Sequence, residues 1–247
     1  NIKTALFEGG EMAHYWRIST SLSKTSDEYG ILLMNMFAHE GVKPEEVEGI
    51  VISSVVPSVT AHMSGAVEVL TGKAPMLMGP GIKTGLNIQM DDPASVGSDR
   101  IVIAVAALLE YAPPLLLVDL GTATTVSVVD KTGAFLGGAI MPGVYTSFDS
   151  LISRASLLPR ISLETPAKVI GGNSNDSMQS GAVYGTAAML DGMVAQIRAA
   201  LGAPDAPVVA TGTLPDSVRT ACATDIVYRE TLVLEGLYWI WKKNTRK

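Results

Sequence analysis

What most constrains this chain is an apolar strand that delivers an acid into a glycine turn. Residues 115–118 (Leu-Leu-Leu-Val) are continuously apolar, the pattern of a buried strand, and the run ends on Asp119. Gly121-Thr122-Ala123-Thr124-Thr125 follows, read as a turn rich in hydroxyls. A second strand over 126–129, a turn at Asp130-Lys131-Thr132-Gly133 and a third strand over 134–140 complete the unit. The N-terminus repeats part of this plan: a strand over 2–7, a turn at Glu8-Gly9-Gly10 and a strand over 12–18. Lys3-Thr4-Ala5-Leu6-Phe7 aligns with Thr125-Val126-Ser127-Val128-Val129. The second hairpin has a strand ending in an acid ahead of it and the first has none. A duplication therefore calls for one more strand before Asn1, which the sequence reads as lacking.

Between the hairpins, Ser26-Asp27-Glu28 precedes a helical run over 29–38, with Gly41 as its stop. A β-branched strand is expected over 49–56, a helix from Pro57 to about residue 70 closed by Gly72, and a short strand over 75–78. Further helices are expected over 101–111, 145–155 and 176–201, a strand at Val208-Val209, and a C-terminal helix from about Thr231. Hairpins mixed with strand–helix alternation imply an α/β architecture. With 247 residues, the repeat divides the chain into halves 1–112 and 113–247, hinged near 112–114, the last helix able to pack back on the first half.

Composition removes several function classes. Net charge is −6 and the pI about 5.1, with 7 basic and 13 acidic residues before Pro113 and 11 of each after it. That balance argues against a general nucleic-acid or anionic-membrane binder. Cys222 is the only cysteine, which rules out an intrachain disulfide or a cysteine metal site and suits a reducing, cytoplasmic compartment. No apolar run approaches the roughly 18 residues needed to cross a bilayer, and no signal peptide opens the chain.

Two segments carry most of the chemistry. A glycine turn lined by hydroxyls and amides can receive phosphate oxygens, while Asp119 holds a cation that offsets their charge; the plain alternative is a β-turn. Gly97-Ser98-Asp99-Arg100 stands at a helix start. There Asp99 is either a helix cap or a general base for a substrate hydroxyl, with Arg100 able to pair a carboxylate or phosphate. Gly137-Gly138 and Ala210-Thr211-Gly212 place glycines at strand ends, where backbone can approach a nucleotide. Asn173-Ser174 reads as a capping pair or as a substrate-contacting hydroxyl. His14, His39 and His62 share no metal-like spacing, and Cys222 reads as an inert core thiol.

Taken together, the motifs resemble one family. They are Ser-Ser-Val-Val-Pro at 53–57, Gly-Pro-Gly-x-Lys-Thr-Gly-Leu at 79–86, Pro-x-x-x-Gly-x-Asp-Arg at 93–100 and Asp-x-Gly-Thr-Ala-Thr-Thr at 119–125. Leu-Pro-Arg at 158–160, Met-Gln-Ser-Gly at 178–181 and Leu-x-x-Glu-Gly-Leu at 232–237 complete the set. In this order and spacing they resemble the type III pantothenate kinases across essentially the whole chain. The resemblance implies an actin/hexokinase-like fold of two ribonuclease-H-like halves, a homodimer, and transfer of the ATP γ-phosphoryl group to pantothenate, the first step toward coenzyme A. By motif match Asp99 is the proton acceptor, and Gly97, Ser98, Arg100, Met90 and Ser174 line the pantothenate site. Gly121 and Thr122, with Asn1, Ile2 and Lys3, fall on the ATP side, and Asp119 holds the monovalent cation as the metal-site residue. ATP, Mg²⁺ and a monovalent cation (K⁺ or NH₄⁺) are the implied cofactors.

Three departures stand out. The family opens with Asp-x-Gly-Asn-Thr-Asn, of which Asn1-Ile2-Lys3 matches only the tail; a chain without that acid is expected to fail at ATP and Mg²⁺ binding. Met90 stands where a tyrosine is common, and Thr213 replaces the second glycine of Ala-Thr-Gly-Gly. The alternatives these departures raise are a non-catalytic accessory relative and a kinase for another small hydroxy acid.

Overall fold

The computed structural model describes residues 1–245, which divide into two units that interleave along the chain. The first comprises Asn1–Gly85, Ala94–Ala106 and the chain from Leu232 onward; the second comprises Leu86–Pro93 and Ala107–Thr231.

In the first unit β1 (Ile2–Glu8) and β2 (Glu11–Ile18) form an antiparallel hairpin, and β3 (Val51–Ile52) pairs in parallel with β4 (Met76–Leu77). Two helices, α1 (Ser26–Glu40) and α2 (Pro57–Thr71), pack together through Tyr29, Leu33, Met63 and Ala66, with Ile2 and Ile52 against them. The start of α1 is a full capping box. The Thr25 side chain accepts from the Glu28 amide, and the Thr25 amide donates to Glu28 Oε2 at 2.8 Å. Gly41 ends the helix in the left-handed region, at φ 73°. The strand expected over 49–56 is paired only at Val51 and Ile52. Beyond them Ser54 Oγ accepts from the Val56 amide at 3.1 Å, so the backbone turns locally toward Pro57 instead of extending a ladder.

The second unit is built on a six-stranded mixed sheet of order β10-β9-β6-β7-β8-β5. Its centre is an antiparallel meander of β6 (Leu115–Leu120), β7 (Ala123–Val129) and β8 (Ala134–Pro142). β9 (Val208–Gly212) runs parallel to β6, β10 (Ile226–Tyr228) runs parallel to β9, and β5 (Asn87–Ile88) runs parallel to β8 at the other edge. Leu116, Val118, Val126, Val208 and Ala210 face Leu190 and Val194 of α6 (Thr186–Leu201) in one apolar cluster. At about 25 cal/mol per Å² of apolar surface, such burial dominates the unit's stability.

The helix expected over 176–201 is real but interrupted. α5 (Ser174–Ser180) passes through a π-helical turn, Gly181–Gly185, before α6 begins; a glycine stands at each end of that turn. α4 (Val144–Arg154) follows β8, and α7 (Asp216–Ala221) lies between β9 and β10. β5, α7 and β10 have too few residues to show a period. Helix α3 (Ser98–Glu110) crosses the division between the units, and α8 (Leu232–Thr245) contributes Leu237 and Ile240 to a cluster with Val102 of α3.

The two hairpins break register at matching places, between Leu6 and Phe7 and between Val128 and Val129, the pairs that align in the sequence repeat. The architecture is mixed α/β, as the hairpins and the strand–helix alternation imply. Among the described residues, no helix is long and apolar enough to cross a membrane.

Two stability tests follow from these contacts. Thr25→Ala removes one half of the capping box and is expected to cost about 1 kcal/mol, read as a lower urea midpoint at unchanged slope. Glu110 accepts a two-pronged ion pair from Arg229, whose hydrogen bond holds the carboxyl below the usual range. A depressed folded pKa means the unfolded chain binds more protons, so this contribution is present above the ordinary carboxylate pKa. It disappears as pH falls through the lowered one. Because the Glu110 side chain is 45% exposed, solvent screening limits the contribution to about 1 kcal/mol at most. Glu110→Gln should therefore differ from the parent at pH 7 and converge with it in acid.

Candidate active site

In the first unit the chemistry gathers in the first turn of α3. The Gly97 carbonyl accepts from the amides of Arg100 at 3.1 Å and Ile101 at 3.4 Å, so Gly97 stands at the capping position. Asp99 is the second residue of the helix, and its Oδ1 accepts from the Arg100 amide at 2.9 Å. The Gly97 carbonyl thus opens the helix while the Asp99 carboxylate accepts a first-turn amide, a capping contact that occupies one of its two oxygens. A Cβ placed on Gly97 would lie 2.5 Å from Asp99 Oδ1, far inside contact distance. Ser98 Oγ sits 2.9 Å from Ser53 Oγ, just beyond β3. Arg100 is only 8% exposed. Burial pushes its guanidinium pKa down and the neighbouring Asp99 charge opposes that shift, while an arginine stays cationic at neutral pH.

In the second unit, β6 delivers Asp119 beside β9, with Asp119 opposite Thr211 and Leu120 opposite Gly212. Gly212 has φ +92°, and a Cβ there would lie 2.5 Å from Asp119 Oδ1. The Thr213 amide donates to the Leu120 carbonyl at 2.6 Å. The turn itself is narrower than the sequence suggests. Only Gly121 and Thr122 stand in it, both exposed; Thr124 and Thr125 belong to β7, and Thr124 is fully buried. Alternation along the strand turns that hydroxyl inward, where no described group hydrogen-bonds it. The Thr122 carbonyl accepts from the Gly143 amide at 3.0 Å and from Thr146 Oγ1 at 2.8 Å, tying the start of α4 to the turn.

The remaining expected site residues fall as follows. Met90 lies in the second unit, on the segment after β5, with its thioether at the backbone of Gly137. Asn173 caps α5, donating its side chain to Asp176 and accepting the Asp176 amide at 2.9 Å. Ser174 is exposed and lines a pocket of about 580 Å³ floored by Phe148, Leu151, Leu158 and Met178. Asn1 precedes β1 and is exposed, Ile2 packs on the α1–α2 cluster, and Lys3 pairs with Arg17 in the hairpin. Sequence reasoning gave Ser53 no role and Gly143 only a place in a glycine run. The legible signal was a hydroxyl directly after a β-branched run.

Beside the space that Gly212 leaves stand the Asp119 carboxylate and the Leu120 carbonyl, oxygen donors of the kind a hard cation takes. No cluster of three or more His, Cys, Asp or Glu able to hold a metal occurs among the described residues.

The family model for type III pantothenate kinase matches residues 1–196. The chain belongs to that family. The type III pantothenate kinase of Exiguobacterium sp. (strain ATCC BAA-1283 / AT1b) is 42% identical over 246 residues, covering 100% of this chain and 96% of the relative. That of Myxococcus xanthus (strain DK1622) is 43% identical over 244 residues, covering 99% and 95%. Among solved structures, an inorganic polyphosphate/ATP-glucomannokinase from Arthrobacter sp. strain KM is 10% identical, covers 98% of this chain and 94% of that one, and has a TM-score of 0.44.

Cys222 lies on neither turn, just after α7. Burial, with the Asp191 charge adding to it, pushes its thiol up to about 11, and Sγ donates to the Val218 carbonyl at 3.3 Å. Iodoacetamide at pH 7.5 is expected to label Cys222 slowly in the native protein and rapidly in urea. Fast native labelling would contradict the inert assignment.

Proposed function

We propose that the protein phosphorylates pantothenate with ATP, giving 4′-phosphopantothenate and ADP in the first step toward coenzyme A. The observation that carries this reading is the Gly97–Arg100 turn, in which a half-buried carboxylate is held at a helix start beside a serine hydroxyl, in a chain of this family. Asp99 Oδ1 is occupied by the Arg100 amide, which leaves Oδ2 to take the proton of the pantothenate hydroxyl. As that proton moves, the substrate oxygen attacks the γ-phosphorus and the bond to the ADP oxygen breaks. Most of the rate in phosphoryl transfer comes from positioning and charge neutralisation, with one base orienting the nucleophile. Arg100, buried behind Asp99, balances that carboxylate.

The amides of Gly121 and Thr122 suit the phosphates of ATP; the family resemblance assigns Asn1, Ile2 and Lys3 to the nucleotide as well. Asp119 would hold the cation, Mg²⁺ or a monovalent ion such as K⁺ or NH₄⁺, which when bound supplies charge neutralisation. In a protein of net charge −6, an anionic nucleotide needs such local dipoles and ions. The family resemblance assigns Gly97, Ser98, Arg100, Met90 and Ser174 to pantothenate and makes the active form a cytoplasmic homodimer. Met90 gives one reason for a second reading, a kinase for another small hydroxy acid: an apolar thioether lies against Gly137 where the family commonly has a tyrosine.

Asp99→Asn tests the central assignment. Pantothenate-dependent ADP release should fall by about 10²–10⁴-fold while ATP affinity, measured by calorimetry, holds. Unchanged turnover in that variant rejects Asp99 as the base. A panel of hydroxy acids tested with the parent protein separates the two substrate readings.

A further inference from the structure

Ser53 reaches the Gly97–Arg100 turn from 45 residues away, its Oγ 2.9 Å from that of Ser98. We propose that Ser53 is a positioning residue for pantothenate: it donates its proton to Ser98 Oγ and so leaves the Ser98 proton for a substrate oxygen. The inference rests on the assignment of Ser98 to pantothenate.

A serine hydroxyl has one hydrogen and two lone pairs. When two hydroxyls meet, one proton is used between them. If Ser53 supplies it, Ser98 keeps its donor and has its rotamer fixed from behind. Both partners are half-buried, so the bond is shielded from bulk water.

Both are also mounted on fixed elements. Ser53 directly follows β3, whose Ile52 carbonyl accepts from the Met78 amide at 2.8 Å. Ser98 opens α3, and Val102 one turn later is fully buried against Leu237 and Ile240 of α8. A hydroxyl held between two such elements has little freedom to drift, which is what precise placement of a substrate requires.

Local structure does not need Ser53. The turn from β3 into α2 is closed by the neighbouring Ser54, which accepts from the Val56 amide and donates back to the Val56 carbonyl. In the second unit Thr211, near the end of β9, is fully buried and turns its hydroxyl to the Glu230 carbonyl, so it offers no counterpart that a substrate could reach.

The test is steady-state kinetics with melting temperatures for Ser53→Ala, Ser98→Ala, the double variant and Ser53→Thr, with Ser54→Ala as the structural control. Ser53→Ala should raise the KM for pantothenate about fivefold, leaving the KM for ATP unchanged. The double variant should be no worse than Ser98→Ala alone, and Ser53→Thr should restore most of the loss. An unchanged pantothenate KM in Ser53→Ala, with a raised one in Ser98→Ala, overturns the inference alone. So does a double variant in which the two effects multiply, or a Ser53→Ala protein that loses only melting temperature. An unchanged KM in Ser98→Ala overturns the assignment of Ser98 and the inference with it.

Discussion

Each unit of this protein presses one carboxylate against a glycine. In each, a methyl group on that glycine would fall 2.5 Å from a carboxylate oxygen: Gly97 against Asp99, Gly212 against Asp119. Carbon and oxygen cannot approach so closely, so the direction of each acid depends on a side chain that is absent. The two cases differ in what else surrounds the glycine. At Gly97 only the flexible tip of Asp99 lies within reach, whereas Gly212 has φ +92° and also faces the backbone of Leu120. A side chain at 97 would move a carboxylate; one at 212 would strain the sheet as well.

The surrounding elements exist to make those two contacts repeatable. Asp119 is carried on the central strand of a sheet whose neighbour β9 brings Gly212 alongside in register, and Leu190 and Val194 of α6 pack that sheet from one face. Asp99 is carried on a helix whose next turn is buried at Val102. The acidic charge of the chain fits the same picture: a protein at −6 has no general attraction for anionic nucleotides, so binding one depends on local groups at a defined place.

Much of this was legible in the sequence because period and capping chemistry are local. The apolar run 115–118, the Ser26-Asp27-Glu28 stretch and the Pro57 start of α2 each carry their own signal, although the residue that caps α1 is Thr25, one position before that stretch. The motifs gave Asp99, Asp119 and their glycine neighbours through resemblance. What the residues alone could not give was non-local. Thr124 and Thr125 read as part of a phosphate turn because their hydroxyls suit one, yet pairing with β6 draws them into a strand and buries Thr124. The role of Gly212 depends on β9 lying beside β6, and that of Ser53 on a helix 45 residues away. β5 and β10 were invisible because two or three residues carry no period and acquire strand geometry only from their neighbours.

The most direct measurement is the turnover of Gly97→Ala. The added methyl displaces only the tip of Asp99, so melting temperature and ATP affinity should stay at parental values. A shift of about 1 Å in the carboxylate should then lower kcat for pantothenate phosphorylation by about 10²-fold. A Gly97→Ala protein with parental kcat would contradict the proposal that Asp99 is the base and that this glycine sets its position.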